Sequence, residues 1–203
     1  IPDSLTARAR YELDEHRRAL SAVGWQLQCG EQRWGDWTGP VSDASSPACA
    51  AYEAFVERVD TDGASCSLPL LSTLPGFDLA ILAGARLGDH GRLVLVFDAE
   101  RDFLRILGQP GPLPSFETYA FDAQGLMLSK SRFPHHLVAT GLLPVDGAQT
   151  PLRLRVAEPS AGPKEGWPLT RMVRDALRSQ GGFDTRGYLD YRGTRVVGAW
   201  RWL

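Results

Sequence analysis

The segment 116–133, FETYAFDAQGLMLSKSRF, constrains the fold more than any other part of the chain. Residues 117–122 and 126–133 read as strands, and Ala123-Gln124-Gly125 between them reads as a tight turn in which Gly125 supplies a positive φ. A connection that short joins only antiparallel neighbours. A second pair of the same kind, 187–191 and 195–203, closes the chain around Arg192-Gly193-Thr194. Residues 92–98 (RLVLVFD) favour a pleated surface, and 152–156 (LRLRV) alternates with period two.

Helical spacing appears elsewhere. Over 4–23, Ser4 serves as a cap, Leu5, Ala9, Leu13, Leu20 and Val23 form a stripe, and Gly24 is the stop. Pro47 opens a second helix over 48–59, with Ala51, Phe55 and Val59 on one face. A third spans 169–180 and is stopped by Gly181-Gly182. Residues 78–87 are apolar and fit either a helix or a buried strand. Residues 25–47 carry Trp25, Trp34 and Trp37 without any period, the pattern of an irregular lobe whose rings plug a small core. Together these pieces predict an α+β fold: an antiparallel sheet of about five strands, a long N-terminal helix packed on it and an irregular Trp-rich lobe. The expected division is 1–90 for the helix and lobe and 91–203 for the sheet core, or one continuous domain over 1–203.

With 203 residues the chain can bury one sizeable core or two small ones. Its net charge of −2 gives no electrostatic footprint for nucleic acid. No apolar run is long enough to cross a membrane, and the opening Ile1-Pro2 carries no leader pattern, so the chain reads as a processed or excised fragment. Cys29, Cys49 and Cys66 fit no zinc or CxxC spacing. They read as buried thiols or, outside the cytoplasm, as one disulfide plus one thiol. Cys49 with Cys66 is the favoured pair, because both flank one helical segment.

Two segments resemble a known family. The stretch 116–133, ending in Ser131-Arg132-Phe133, and the tail GYLDYRGTRVVGAWRWL (187–203) are similar to Cache-type, PAS-like sensor domains in the periplasmic parts of bacterial sensor kinases and nucleotide cyclases. Pro168-Leu169-Thr170-Arg171-Met172, opening a helix, fits the same pattern, and so does 103–107 after a strand ending at Asp98. The resemblance covers 93–203; QPGPLPSF stands where the family has a Gly-rich run, and the chain stops where a last strand and then a membrane helix are expected. What the resemblance implies is the extracytoplasmic sensor domain of an inner-membrane signal-transduction receptor, not an enzyme. Such a domain binds a small polar solute, a carboxylate or an amino acid, and relays it to a cytoplasmic output. It touches the membrane only through flanking helices absent from this chain, and pairing into a homodimer is compatible with it. The alternative is a non-catalytic protein-interaction or dimerisation module, which the Trp-rich lobe favours because exposed aromatics mark interfaces. A cytoplasmic PAS-type domain is a third reading, against which a disulfide would count.

A solute pocket needs an apolar wall and a few convergent polar groups. Tyr119, Ser129, Ser131, Arg132, Asp190 and Trp200 are the candidates. Arg132 would anchor a carboxylate with its planar fork, or pair with Asp190 and tie the two hairpins together. Asp190 would accept from a ligand amine or cap the turn that follows it. Trp200 and Trp202 share a strand face and serve as core rings or as a ligand wall. His135 and His136 are adjacent and diverge, which suits no joint metal site, and no metal ligand set is expected. Ser131, His135 and Asp190 have the types of a hydrolytic triad, but no G-x-S-x-G elbow carries the serine. No P-loop, dinucleotide fingerprint or HExxH is present, so no cofactor is expected.

Overall fold

The structure, a computed structural model, describes residues 11, 15, 20–29, 31–37, 47–71, 78–89, 91–109, 111–145, 150–179 and 181–202. The chain divides into two compact units, Ile1–Arg105 and Ile106–Leu203.

The first unit is built on a sheet. Its strands are β1 (Gly24–Cys29), β2 (Gln32–Gly35), β3 (Ala64–Cys66), β4 (Leu70–Leu71), β5 (Leu79–Leu87) and β6 (Gly91–Asp98), with helix α1 (Pro47–Asp62) between β2 and β3. The order is β2-β1-β6-β5-β3 with every pair antiparallel, and β4 continues the β3 edge along β5. The sheet is therefore five strands wide, with the first and last strands side by side at its centre. The ambiguous stretch 78–87 is a strand. Pairing with β6 on one side and with β3 and β4 on the other satisfies its backbone, which periodicity alone could not foresee.

Helix α1 packs Phe55 and Val59 onto Leu82, Val94 and Val96, all buried. Gly84 on β5 makes this close approach possible, since a Cβ there would stand 2.7 Å from both Phe55 and Val59. Arg92 on β6 pairs with Asp60 of α1 at 2.8 Å.

Three sequence expectations change here. The division at 90/91 moves to 105/106, because β6 is bonded to both β1 and β5 and belongs to the first sheet. The stretch 25–47 is not wholly irregular, since it opens with the β1–β2 hairpin. Trp25 and Gln26 are buried on opposite faces of β1, so no alternation shows in the sequence. Trp25 and Trp37 are buried rather than exposed, which removes the interface argument drawn from them. The helix expected over 4–23 lies largely outside the described residues. Tyr11 and Glu15 are helical, while Leu20 and Ser21 form a turn before β1.

In the second unit, helix α2 (Pro134–Ala139) and helix α3 (Arg171–Arg178) accompany a ribbon of β7 (Gly181–Leu189) and β8 (Arg195–Arg201). Thr170 caps α3 by accepting the Val173 N–H. The helix buries Met172, Val173 and Ala176. Gly181 and Gly182 begin β7 instead of stopping the helix, which ends at Arg178. The stretches 117–133 and 152–156 meet through isolated bridges rather than a continuous ladder. The turn is as expected, with Gly125 at φ 76°, but the Asp122 carboxylate takes the Gln124 and Leu126 N–H groups, and Leu152 sits at φ 57°. Met127, Leu137, Leu154, Val156, Met172, Val173, Tyr188 and Tyr191 form the core of this unit.

Cys29 and Cys66 are exposed free thiols, so the Cys49–Cys66 bridge is not formed. Among the described residues, no helix is long and apolar enough to cross a membrane.

Candidate functional site

The 117–133 hairpin and the 190–194 turn carry most of the candidate residues, and they assemble around a carboxylate that sequence reasoning missed. Glu117 Oε1 accepts from Ser131 Oγ at 2.9 Å and from the Arg132 N–H at 2.8 Å. Its Oε2 accepts from the Tyr191 hydroxyl at 2.7 Å. Ser131 Oγ and Tyr191 Oη also meet at 2.7 Å, and Ser131 Oγ accepts the Phe133 N–H. Behind them, Thr150 Oγ1 accepts the Ser131 N–H and donates to the Ser129 carbonyl. Ser129 Oγ accepts the Ala120 N–H at 3.1 Å.

Tyr119 stacks edge-on against Tyr191 with ring centres 5.5 Å apart, and its hydroxyl reaches Met172 Sδ at 3.9 Å. Burial, reinforced by the nearby Tyr188, Tyr191 and Glu117, pushes the Tyr119 phenol well above its ordinary value. Burial and the Glu117 charge do the same to Tyr191, and burial beside Asp190 and Asp184 pushes Tyr188 up to about 12. These phenols stay protonated, and those of Tyr119 and Tyr191 act as donors. The cluster satisfies itself: its polar atoms are spent on one another, and the rings fill the space beside the hairpin.

Asp190 caps its turn. Its Oδ1 accepts the Arg192 and Thr194 N–H groups, and its Oδ2 holds the Arg192 guanidinium at 2.6 and 2.7 Å. The guanidinium lies over the Phe133 ring, 3.9 Å from its centre. The Arg132–Asp190 tie considered from sequence does not form, because Arg192 is two residues away and already sequesters the carboxylate. Arg132 instead donates to the Phe116 carbonyl. His135 is exposed on α2, and neither Ser131 nor Asp190 engages it, so the three do not assemble as a triad. No cluster of metal-ligating side chains occurs among the described residues, and His16 and His90 lie outside them.

Trp200 lines an open cavity. This cleft of about 500 Å3 runs between α3 and the ribbon, bordered by Arg171, Arg178, Asp184, Arg186, Gly182 and Trp200. Its volume falls in the range of small-molecule sites. Trp200 packs into the unit's core, and its Nε1 is buried without a hydrogen-bond partner. Asp184 is buried at the β7 bulge. Its Oδ1 accepts the Arg186 and Gly187 N–H groups at 2.8 and 3.2 Å, and its Oδ2 pairs with Arg171 at 2.9 Å. Desolvation opposes ionisation of Asp184, but the Arg186 N–H, the Arg171 guanidinium and the Gly187 N–H outweigh it and hold the carboxyl below its ordinary value. The i,i+4 spacing of Arg171 and Asp175 was legible in the sequence; nothing local announces the partnership of Arg171 with Asp184.

No model of a known protein family and no curated protein matches the chain.

Proposed function

We propose that the chain is an extracytoplasmic, ligand-binding sensor domain of a membrane signal-transduction receptor, PAS-like in its sheet, non-catalytic, and periplasmic in location. The observation that carries this reading is the open cleft between α3 and the β7–β8 ribbon. It is floored by Trp200, which lies in the tail that resembles the Cache-type ending. The five-strand antiparallel sheet of the first unit, with α1 on one face, is an α+β layer compatible with such a module, while the segments that resemble the family, 116–133 and 187–203, lie in the second unit. The cleft takes the place of the pocket expected beside the 117–133 hairpin, where side chains occupy the space. Signalling follows if a solute binds two conformations of the unit unequally, so that occupancy shifts their populations.

One observation favours the interaction-module alternative. The ribbon exposes Val197 (67%) and also Phe183 (75%), which borders the cleft as well, an apolar surface of the kind that partners cover.

A thermal-shift screen of the chain against amino acids, organic acids, amines and nucleobases separates the two readings. A solute that binds only the folded state adds roughly 2.7 kcal/mol at a hundredfold excess over its Kd. The sensor reading predicts a hit that is lost in Trp200→Ala, with Trp200→Phe retaining part of it. A flat screen, together with concentration-dependent dimerisation that Val197→Ser abolishes, would sink the sensor reading in favour of the interaction module.

A further inference from the structure

We infer that the cleft between α3 and the β7–β8 ribbon takes an aromatic carboxylate: a monoanion on a flat apolar body, carrying no ammonium group. This deepens the sensor reading and rests on it.

The charge on the cleft wall is divided unequally. Arg171, Arg178 and Arg186 face only two carboxylates, Asp175 and Asp184. Arg171 serves both of them, at 3.7 Å to Asp175 and 2.9 Å to Asp184. Among the described residues, the guanidiniums of Arg178 and Arg186 have no ion-pair partner. The surplus is thus one positive charge, which a monoanion neutralises and a dianion overshoots. A guanidinium meets a carboxylate through two parallel donors, which gives orientation as well as attraction.

The same accounting separates carboxylates from amino acids. An amino-acid zwitterion carries no net charge and so leaves that surplus unneutralised. Both carboxylates of the wall already face Arg171, and Asp184 Oδ1 also holds two backbone N–H groups. Bringing an ammonium beside Arg178 and Arg186 would add like-charge repulsion.

The body of the ligand is set by Trp200. Its indole forms an apolar wall of the cleft, and a flat ring stacks on it more favourably than an aliphatic chain of equal size. Gly182 lies against the same indole and leaves room for it, since a Cβ there would come within 2.7 Å of the ring.

The test uses the full chain with phenylacetate as the probe, and with phenylalanine, benzylamine and acetate for comparison. Affinity is read by calorimetry, and contact with the cleft by the Trp200 indole N–H resonance, assigned through Trp200→Phe. Saturable phenylacetate binding that shifts this resonance is expected, with acetate at least tenfold weaker and benzylamine showing none. Arg186→Ala and Arg178→Ala, both on exposed side chains, should each weaken phenylacetate about tenfold at unchanged melting temperature. Phenylacetate affinity that survives removal of both guanidiniums overturns the assignment. Binding of benzylamine or phenylalanine in preference to phenylacetate overturns the ligand class but leaves the sensor reading standing. If no compound in this set or in the wider solute screen binds, the assignment is overturned, and the sensor reading falls with it where the chain also dimerises through the exposed ribbon.

Discussion

Trp200 stands where a side chain on Gly182 would have to go: a Cβ at Gly182 would lie 2.7 Å from the indole ring and 3.2 Å from its nitrogen. The two residues are paired across the ribbon, so the contact is built into the β7–β8 register. Gly182→Ala must therefore displace the indole or bend the ribbon. Overpacking of this kind costs about 1–3 kcal/mol. The expected result is a lower urea midpoint together with a shift in tryptophan emission, and an unchanged emission spectrum would contradict this packing.

Glu117 is the acceptor that organises the second unit. Glu117→Gln places an amide where Ser131, Tyr191 and the Arg132 N–H all donate. The amide nitrogen cannot accept, so the network loses one charged acceptor oxygen, at a cost of roughly 1–3 kcal/mol. A double-mutant cycle with Tyr191→Phe should show strong coupling, because the two changes break the same bond. Simple additivity in denaturation experiments would mean that the bond contributes nothing.

The Asp190–Arg192 pair is almost closed to solvent, with side chains 5% and 9% exposed. Asp190→Ala leaves the guanidinium without its counter-charge and frees two turn N–H groups at once. A loss of about 3–5 kcal/mol follows. Asp190→Asn keeps an acceptor for the turn and should lose less. Equal losses for the two variants, measured by chemical denaturation, would show that the turn bonds carry no weight.

Alkaline unfolding should be governed by phenols. Tyr188 ionises in the unfolded chain near its ordinary value of 10.0 and in the folded chain at about 12. A raised folded-state value means that the native form holds its proton more tightly. The stabilisation is fully present below about pH 10 and is lost as pH climbs toward 12. Tyr119 and Tyr191, also raised, act in the same direction. Phenolate absorbance should therefore develop in two stages, the second coinciding with loss of structure by circular dichroism. Tyr188→Phe should make the stability profile flatter over that interval.

The sequence by itself determined the pieces whose conformation is a local matter. Val94, Leu95 and Val96 favour a strand anywhere. Asp122 and Gly125 make a turn from their own side chain and φ. Thr170 caps the helix it precedes, and Asp190 reaches no farther than Thr194 to close its turn. All of these interactions span a few residues, so they are encoded locally, although the caps at Asp122 and Thr170 became visible only in the structure. Tertiary structure decided what depends on competition between distant groups. The stretch 78–87 became a strand only because β6 and the β3–β4 edge were there to take its backbone. Trp25 and Gln26 hid a hairpin, because burial on both faces erases alternation. Glu117 found Tyr191, Arg171 found Asp184, and Arg132 was left to a carbonyl, through contacts no spacing rule encodes. The cleft belongs to this second group. It exists because α3 and a bulged ribbon pack around Trp200, and the shape of the space they leave is a property of the packing, absent from either segment alone.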